Sequence, residues 1–180
     1  MLGDSDISKR ELKNICESYN RLFSGRTLLI HTSYVNLDTF YIKFDSNQIF
    51  HLLGLHKIYE SRKSHEILSS IMNDEIVRKD IERNKAYGSI KERIDSIDIF
   101  RRKFIDDPFT EVILVNKTDN RNSMRLNLVF KDERRSRKII IGLRKIHDSV
   151  YVPVTLFVTK NRNFDYAHSK RIKMDELSWF

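Results

Sequence analysis

The chain has 180 residues, 33 Lys+Arg against 25 Asp+Glu, a formal net charge of +8 and a single cysteine. That length supports one domain, residues 1–180, whose core needs neither disulfides nor a structural metal, and one cysteine excludes an internal disulfide and a cysteine-rich zinc site. The positive balance favours an anionic partner; nucleic acid leads, because no apolar run reaches the roughly 18 residues of a spanning helix and no signal-peptide pattern opens the chain, so the expected setting is the cytoplasm, without a membrane partner.

In chain order, "ELKNICESYNRLF" places Leu12, Ile15, Cys16, Tyr19, Leu22 and Phe23 on one helical stripe, which makes Cys16 a buried small residue rather than a nucleophile. "TLLIHTSYV" and "TFYIKFD" read as two short strands, and "DSNQIF" opens a helix with Asp45 or Ser46 as its N-cap. Three further helical patterns follow in "SHEILSSIMN", "DEIVRKDI" and "SIKERIDSIDIFRRKF". From Pro108 the apolar period changes from about 3.6 to 2, giving four strands: "TEVILV", "SMRLNLVF", "KIIIGLR" and "VYVPVTLFV". The polar connectors "NKTDNRN", "KDERRSR" and "KIHDS" have hairpin length.

Helices followed by a run of antiparallel strands predict an α+β fold, with N-terminal helices packed on one face of a C-terminal four-stranded antiparallel sheet. Alternation then assigns Met124, Leu126, Leu128, Phe130, Ile139, Ile141, Leu143, Val150, Val152, Val154 and Leu156 to the core. It projects Arg125, Asn127, Arg144, Tyr151 and Thr155 outward. Pro153 lacks an N–H, so its strand is expected at an edge or bulged there.

Chemistry gathers in "QIFHLLGLHKIYESRKSH", where Gly54 predicts that the helix loosens or ends and places His56 and Lys57 near its C-terminal end. A histidine moves protons near neutral pH and a neighbouring lysine or arginine holds phosphate, which are parts of a ribonuclease site that uses no metal. Two plainer readings stand beside this one: His51 as a hydrogen-bonded core residue and His56 as a surface residue at a helix C-terminus. The i, i+5 spacing of His51 and His56 keeps them off one helix face, so no metal site is expected. Arg134, Arg135, Arg137 and Lys138, then Arg144 and Lys145, are candidates to hold RNA backbone without reading sequence, and the tail "KNRNFDYAHSKRIK" adds further charge; solubility alone accounts for these charges equally well. Tyr151, on the outward face, is a candidate for stacking on a base.

"FYIKFDSNQIFHLLGLHKI", "KAYGSIKERIDSIDIFRRKF" and "VYVPVTLFV" together resemble the fourth subgroup of the phage-barnase-EndoU-colicin-RelE-like nucleases, over about Leu28 to Tyr166. The resemblance implies a barnase/RelE-like ribonuclease fold and a role in phage biology, toxin systems or bacterial conflict, with RNA as substrate, no cofactor, and an antitoxin or immunity protein as a candidate partner. It implicates His51, Gly54 and Lys57, then Ser89 and Arg93, and Thr155 where the family pattern often carries serine; His56 fits the same element. The chain departs from the pattern at "MRLNLVF", where an aspartate-tyrosine pair is expected. The expected activity is metal-independent RNA cleavage through the 2′-hydroxyl, with His51 as base or acid, Lys57 and Arg93 on the phosphate and Thr155 positioning it. The alternative is a binding module that keeps the fold without the chemistry.

Overall fold

The computed structural model describes residues 11–118, 122–160 and 166–180. Parts of the "NKTDNRN" connector and of the basic tail, residues 119–121 and 161–165, lie outside the described residues. The chain begins with α1 (Leu12–Leu22), β1 (Thr27–Thr32) and β2 (Thr39–Lys43), followed by α2 (Gln48–Leu52), α3 (Ser64–Met72), α4 (Arg78–Glu82), α5 (Lys91–Ser96) and α6 (Ile99–Arg101), which runs into a π turn at Arg102–Asp106. The remaining strands are β3 (Glu111–Leu114), β4 (Leu128–Arg134), β5 (Arg137–His147), β6 (Val150–Thr159) and β7 (Lys170–Trp179).

The seven strands seen among the described residues close into a barrel in the order β1, β2, β6, β5, β4, β3, β7, and β7 returns to β1. The ladders are antiparallel except β2–β6, which is parallel through Tyr41↔Val150 and Ile42↔Tyr151. This overturns the expected four-stranded antiparallel sheet under N-terminal helices. Two features account for the difference. The N-terminal strands were legible, but they join the C-terminal sheet, with Leu28 and Ile30 pointing into its core. The seventh strand was missed because "KRIKMDELSW" carries charge at half of its positions, and only Ile172 and Met174 in it are buried. Its backbone nevertheless pairs with β1 on one side and β3 on the other, and closure of this kind removes the exposed edges that a four-stranded sheet would present.

The larger apolar cluster joins helix and strand side chains. Its aromatic spine runs from Tyr19 of α1 and Phe23 just past its end through Phe100 and Phe104 to Phe130 of β4, with ring centroids between 5.1 and 6.0 Å apart at successive contacts. Cys16 lies in this cluster, and burial pushes its thiol up to about 12, so it is a packing residue at neutral pH. A smaller cluster of Ile113, Val115, Leu126, Val129 and Ile140 covers the other face of β3 to β5. Burial on both faces explains the unbroken apolar run "KIIIG" and corrects the expectation that the outward face would be wholly polar.

Candidate active site

The turn between α2 and α3 is built around one backbone conformation. Gly54 follows the end of α2 with φ +77°, its N–H donates to the His51 carbonyl at 3.0 Å, and a 3-10 turn at Leu55–Lys57 comes next. A left-handed residue just past a helix end favours glycine because a Cβ there meets the backbone. A second constraint acts at this position: a Cβ on Gly54 would stand 2.7 Å from Cγ2 of Ile90 and 3.1 Å from Cδ of Arg93. Gly54 therefore lets the "HLLGLHK" turn lie directly against the start of α5. On a continuous helix His51 and His56 would point apart; the break brings their ring centroids to 5.2 Å, with Phe50 edge-on to His51.

Arg93, half-buried on α5, donates from Nη1 to the His51 carbonyl at 3.4 Å. An ionic network around the buried Arg78 holds α5 in place: Arg78 of α4 reaches Glu82 at 3.0 Å, Asp95 of α5 at 3.1 Å and the Tyr87 hydroxyl at 3.3 Å. His51, His56 and Arg93 line a groove of about 570 Å³, together with Asp45, Asn47 and Gln48 from the start of α2. Thr155, Val152, Pro153 and Val154 of β6, Arg144 of β5 and Met124 line it as well.

The strand residues reach the groove because of a bulge. The β5–β6 register passes from Gly142↔Thr155 to Leu143↔Pro153, so Val154 is an extra residue. Such an insertion re-aims neighbouring side chains. Below the bulge the parity of β6 is reversed relative to simple alternation. Tyr151, expected outward as a stacking residue, is instead buried against Phe40, edge-on at 5.7 Å, and leaves no ring face for a base; Val152, expected in the core, faces the groove. The Pro153 signal was thus a bulge and not an edge, since β6 is flanked by β2 and β5. Thr155, expected on the outward face, is buried at the groove wall, and Gly142 permits its approach: a Cβ there would lie 2.8 Å from the threonine Cγ2 and 2.6 Å from Leu126.

Electrostatically the groove sets the cations Arg93 and Arg144 around two imidazoles whose pKa values are lowered. Burial lowers the pKa of His51, and burial together with the charges of His51, Arg93 and Lys57 lowers that of His56. The Nδ1 of His56 is buried without a hydrogen-bond partner. Lys57 does not line the groove; burial and the charge of Arg93 lower its pKa. Ser89, the other residue of the "SIKERI" element, is tied into its own turn, donating to the Ala86 carbonyl at 2.8 Å.

The other expected RNA contacts lie elsewhere. Arg134, Arg135 and Arg137 line a second groove of about 750 Å³ with Ser96, Ile139 and Val158, on the hairpin between β4 and β5. There Arg134 is 3.4 Å from Asp132, Arg137 is 3.4 Å from Glu92, and Lys138 is half-buried next to them. Lys145 is exposed, and its ammonium is 3.5 Å from Asp148. Arg144 donates from Nη2 to the Met124 carbonyl at 2.7 Å, which fixes its guanidinium at one end of the first groove. Sequence reasoning missed Asp45, Asn47, Gln48, Met124, Val152 and Val154 as groove residues; for the last two the only signal was Pro153, which announced a bulge without saying which way it would turn its neighbours.

No helix among the described residues is long and apolar enough to cross a membrane. No curated protein and no solved structure matches the chain. A family model described as phage-Barnase-EndoU-ColicinE5/D-RelE like nuclease 4 matches residues 11–173, from α1 into β7, a span that holds the histidine turn, α5 and the β6 bulge. The chain therefore belongs to the phage-Barnase-EndoU-ColicinE5/D-RelE like nuclease 4 family.

Proposed function

We propose that this protein is an endoribonuclease that cleaves RNA through the substrate's own 2′-hydroxyl, without a metal ion, as a toxin or phage-conflict effector. The observation that carries this reading is the meeting of His51, His56 and Arg93 with Thr155 and Arg144 along one groove. In the reaction, neutral His51 takes the proton of the 2′-hydroxyl, the oxygen attacks the adjacent phosphorus, and the bond from phosphorus to the 5′-oxygen breaks. His51, now an imidazolium, gives that proton to the leaving oxygen, and a 2′,3′-cyclic phosphate remains. Arg93 and Lys57 stabilise the charge that grows on the phosphate, and the Thr155 hydroxyl orients it. A divalent cation would be repelled by the same two side chains, which supports a mechanism run by protons and fixed cations. The hairpin arginines Arg134, Arg135 and Arg137 hold more distant phosphates.

Cleavage should survive chelator, yield the cyclic phosphate, and vanish when the nucleotide 5′ to the cut carries a 2′-deoxy sugar. Cleavage of all-DNA at a similar rate, or activity abolished by chelator and restored by a divalent ion, would exclude the mechanism. Induced expression of wild type beside His51→Ala, following growth and total RNA, tests the biological role; a toxin arrests growth and degrades RNA only with His51 intact. An antitoxin or immunity protein is the partner this role calls for.

A further inference from the structure

The two walls of the groove differ in chemistry. One presents His51, His56 and Arg93, and the other presents carbon surface from the half-buried Val152, Val154 and Met124, with Pro153 buried between the two valines. The bulge in β6 is responsible, because it turns aliphatic side chains out of the barrel where alternation would have buried them. At the end of the apolar wall Arg144 stands opposite Val152 in the ladder, held by the Met124 carbonyl. Phosphate alone would leave this wall wet, and an acidic peptide would set carboxylates against it.

We infer that the β6 bulge forms a nucleobase subsite: the substrate phosphate meets the imidazoles and Arg93, and the attached base lies on Val152, Pro153, Val154 and Met124. This inference rests on the proposed ribonuclease reading and adds which part of the substrate is gripped, and by what. The groove's volume of about 570 Å³ falls within the roughly 300–1,000 Å³ of small-molecule sites. Pro153 has no N–H and the neighbouring side chains are aliphatic or thioether, so this wall holds a base through its flat face and not its edge. It accepts all four bases and favours purines for their larger area.

The test is calorimetric binding of a 2′-deoxy diadenosine dinucleotide, which cannot be cleaved through a 2′-hydroxyl, against two analogues in which one or the other base is replaced by an abasic tetrahydrofuran. One of the two replacements should weaken Kd by about 5- to 100-fold, the range of base stacking. The same penalty should appear in His51→Ala, and it should shrink at least threefold in Val152→Ser/Met124→Ala. Val152→Thr, which keeps the β-branched shape, serves if the double variant is not folded by circular dichroism, and should also reduce the penalty. Equal binding of parent and both abasic analogues, or a penalty unchanged in the folded Val152 variants, overturns the subsite. Cleavage of RNA is read separately: a protein that loses the base penalty and still cuts RNA keeps the nuclease function, and one that shows the penalty and never cuts keeps the subsite.

Discussion

At the scale of single residues, the histidine pair sets the expected pH dependence. Burial favours the neutral form of both rings, so their folded pKa values lie below the ordinary value of about 6.5. If neutral His51 is the base, kcat/KM should rise with pH and reach its plateau at a lower pH than a fully solvated histidine would give, because the exposed ring is still partly desolvated; an acid limb above about 6.5 would remove His51 from the role. His51→Ala should lower the cleavage rate by about 10² to 10⁴ while leaving RNA binding nearly intact; full activity in the folded variant would pass the role to His56. Arg93 is among the causes that depress His56, so Arg93→Gln should raise the pH at which the His56 ring protons titrate by NMR. An unmoved His56 titration would show that the guanidinium does not act on the imidazole. These residue types were legible in the sequence. Their pairing was not, because the spacing on a straight helix argues against it and only the Gly54 break reverses it.

At the scale of elements, the site depends on two close approaches. Gly54→Ala combines a left-handed backbone with a Cβ 2.7 Å from Ile90, so it should destabilise by about 1 to 3 kcal/mol. For a chain of this size, each kcal/mol lowers Tm by about 2 to 4 °C. Because the clash falls between the histidine turn and α5, activity should drop further than stability explains, measured as kcat/KM well below Tm. Gly88→Ala is the control, since nothing lies within 4 Å of its position; equal losses in the two variants would show that the contact with α5 is not what Gly54 provides. The β6 bulge is the other device. Its existence was signalled by Pro153, but its direction was set by the pairing of β5 with β6, which no local pattern encodes.

At the scale of the whole molecule, closure and charge lead to two further expectations. The first strand pairs with the last, and β2 pairs with β6, so segments far apart in sequence complete one barrel. Thermal unfolding should accordingly be a single transition with matching calorimetric and van't Hoff enthalpies, as expected for one domain over residues 1–180; two transitions would divide the chain. The net charge of +8 makes RNA affinity steeply salt-dependent, and replacing Arg134, Arg135 and Arg137 together should flatten the slope of log affinity against log salt by up to about 2, near 0.7 per phosphate contact. An unchanged slope would take the hairpin out of the binding surface.

The sequence by itself determined the first helix, the two N-terminal strands, the short helices, three of the four strands after Pro108, the break at Gly54 and the family to which the chain belongs, because each rests on local periodicity, a single backbone requirement or a contiguous motif. The expected strand "SMRLNLVF" is displaced: β4 runs over Leu128–Arg134, into the segment "KDERRSR" that reads as a connector. Only the tertiary structure decided that the strands close into a barrel, that a charged segment at 170–179 is its seventh strand, and that Tyr151 turns inward while Val152 turns to the groove. Strand partners and register are non-local, and in a structure of period 2 one inserted residue exchanges the two faces of everything beyond it.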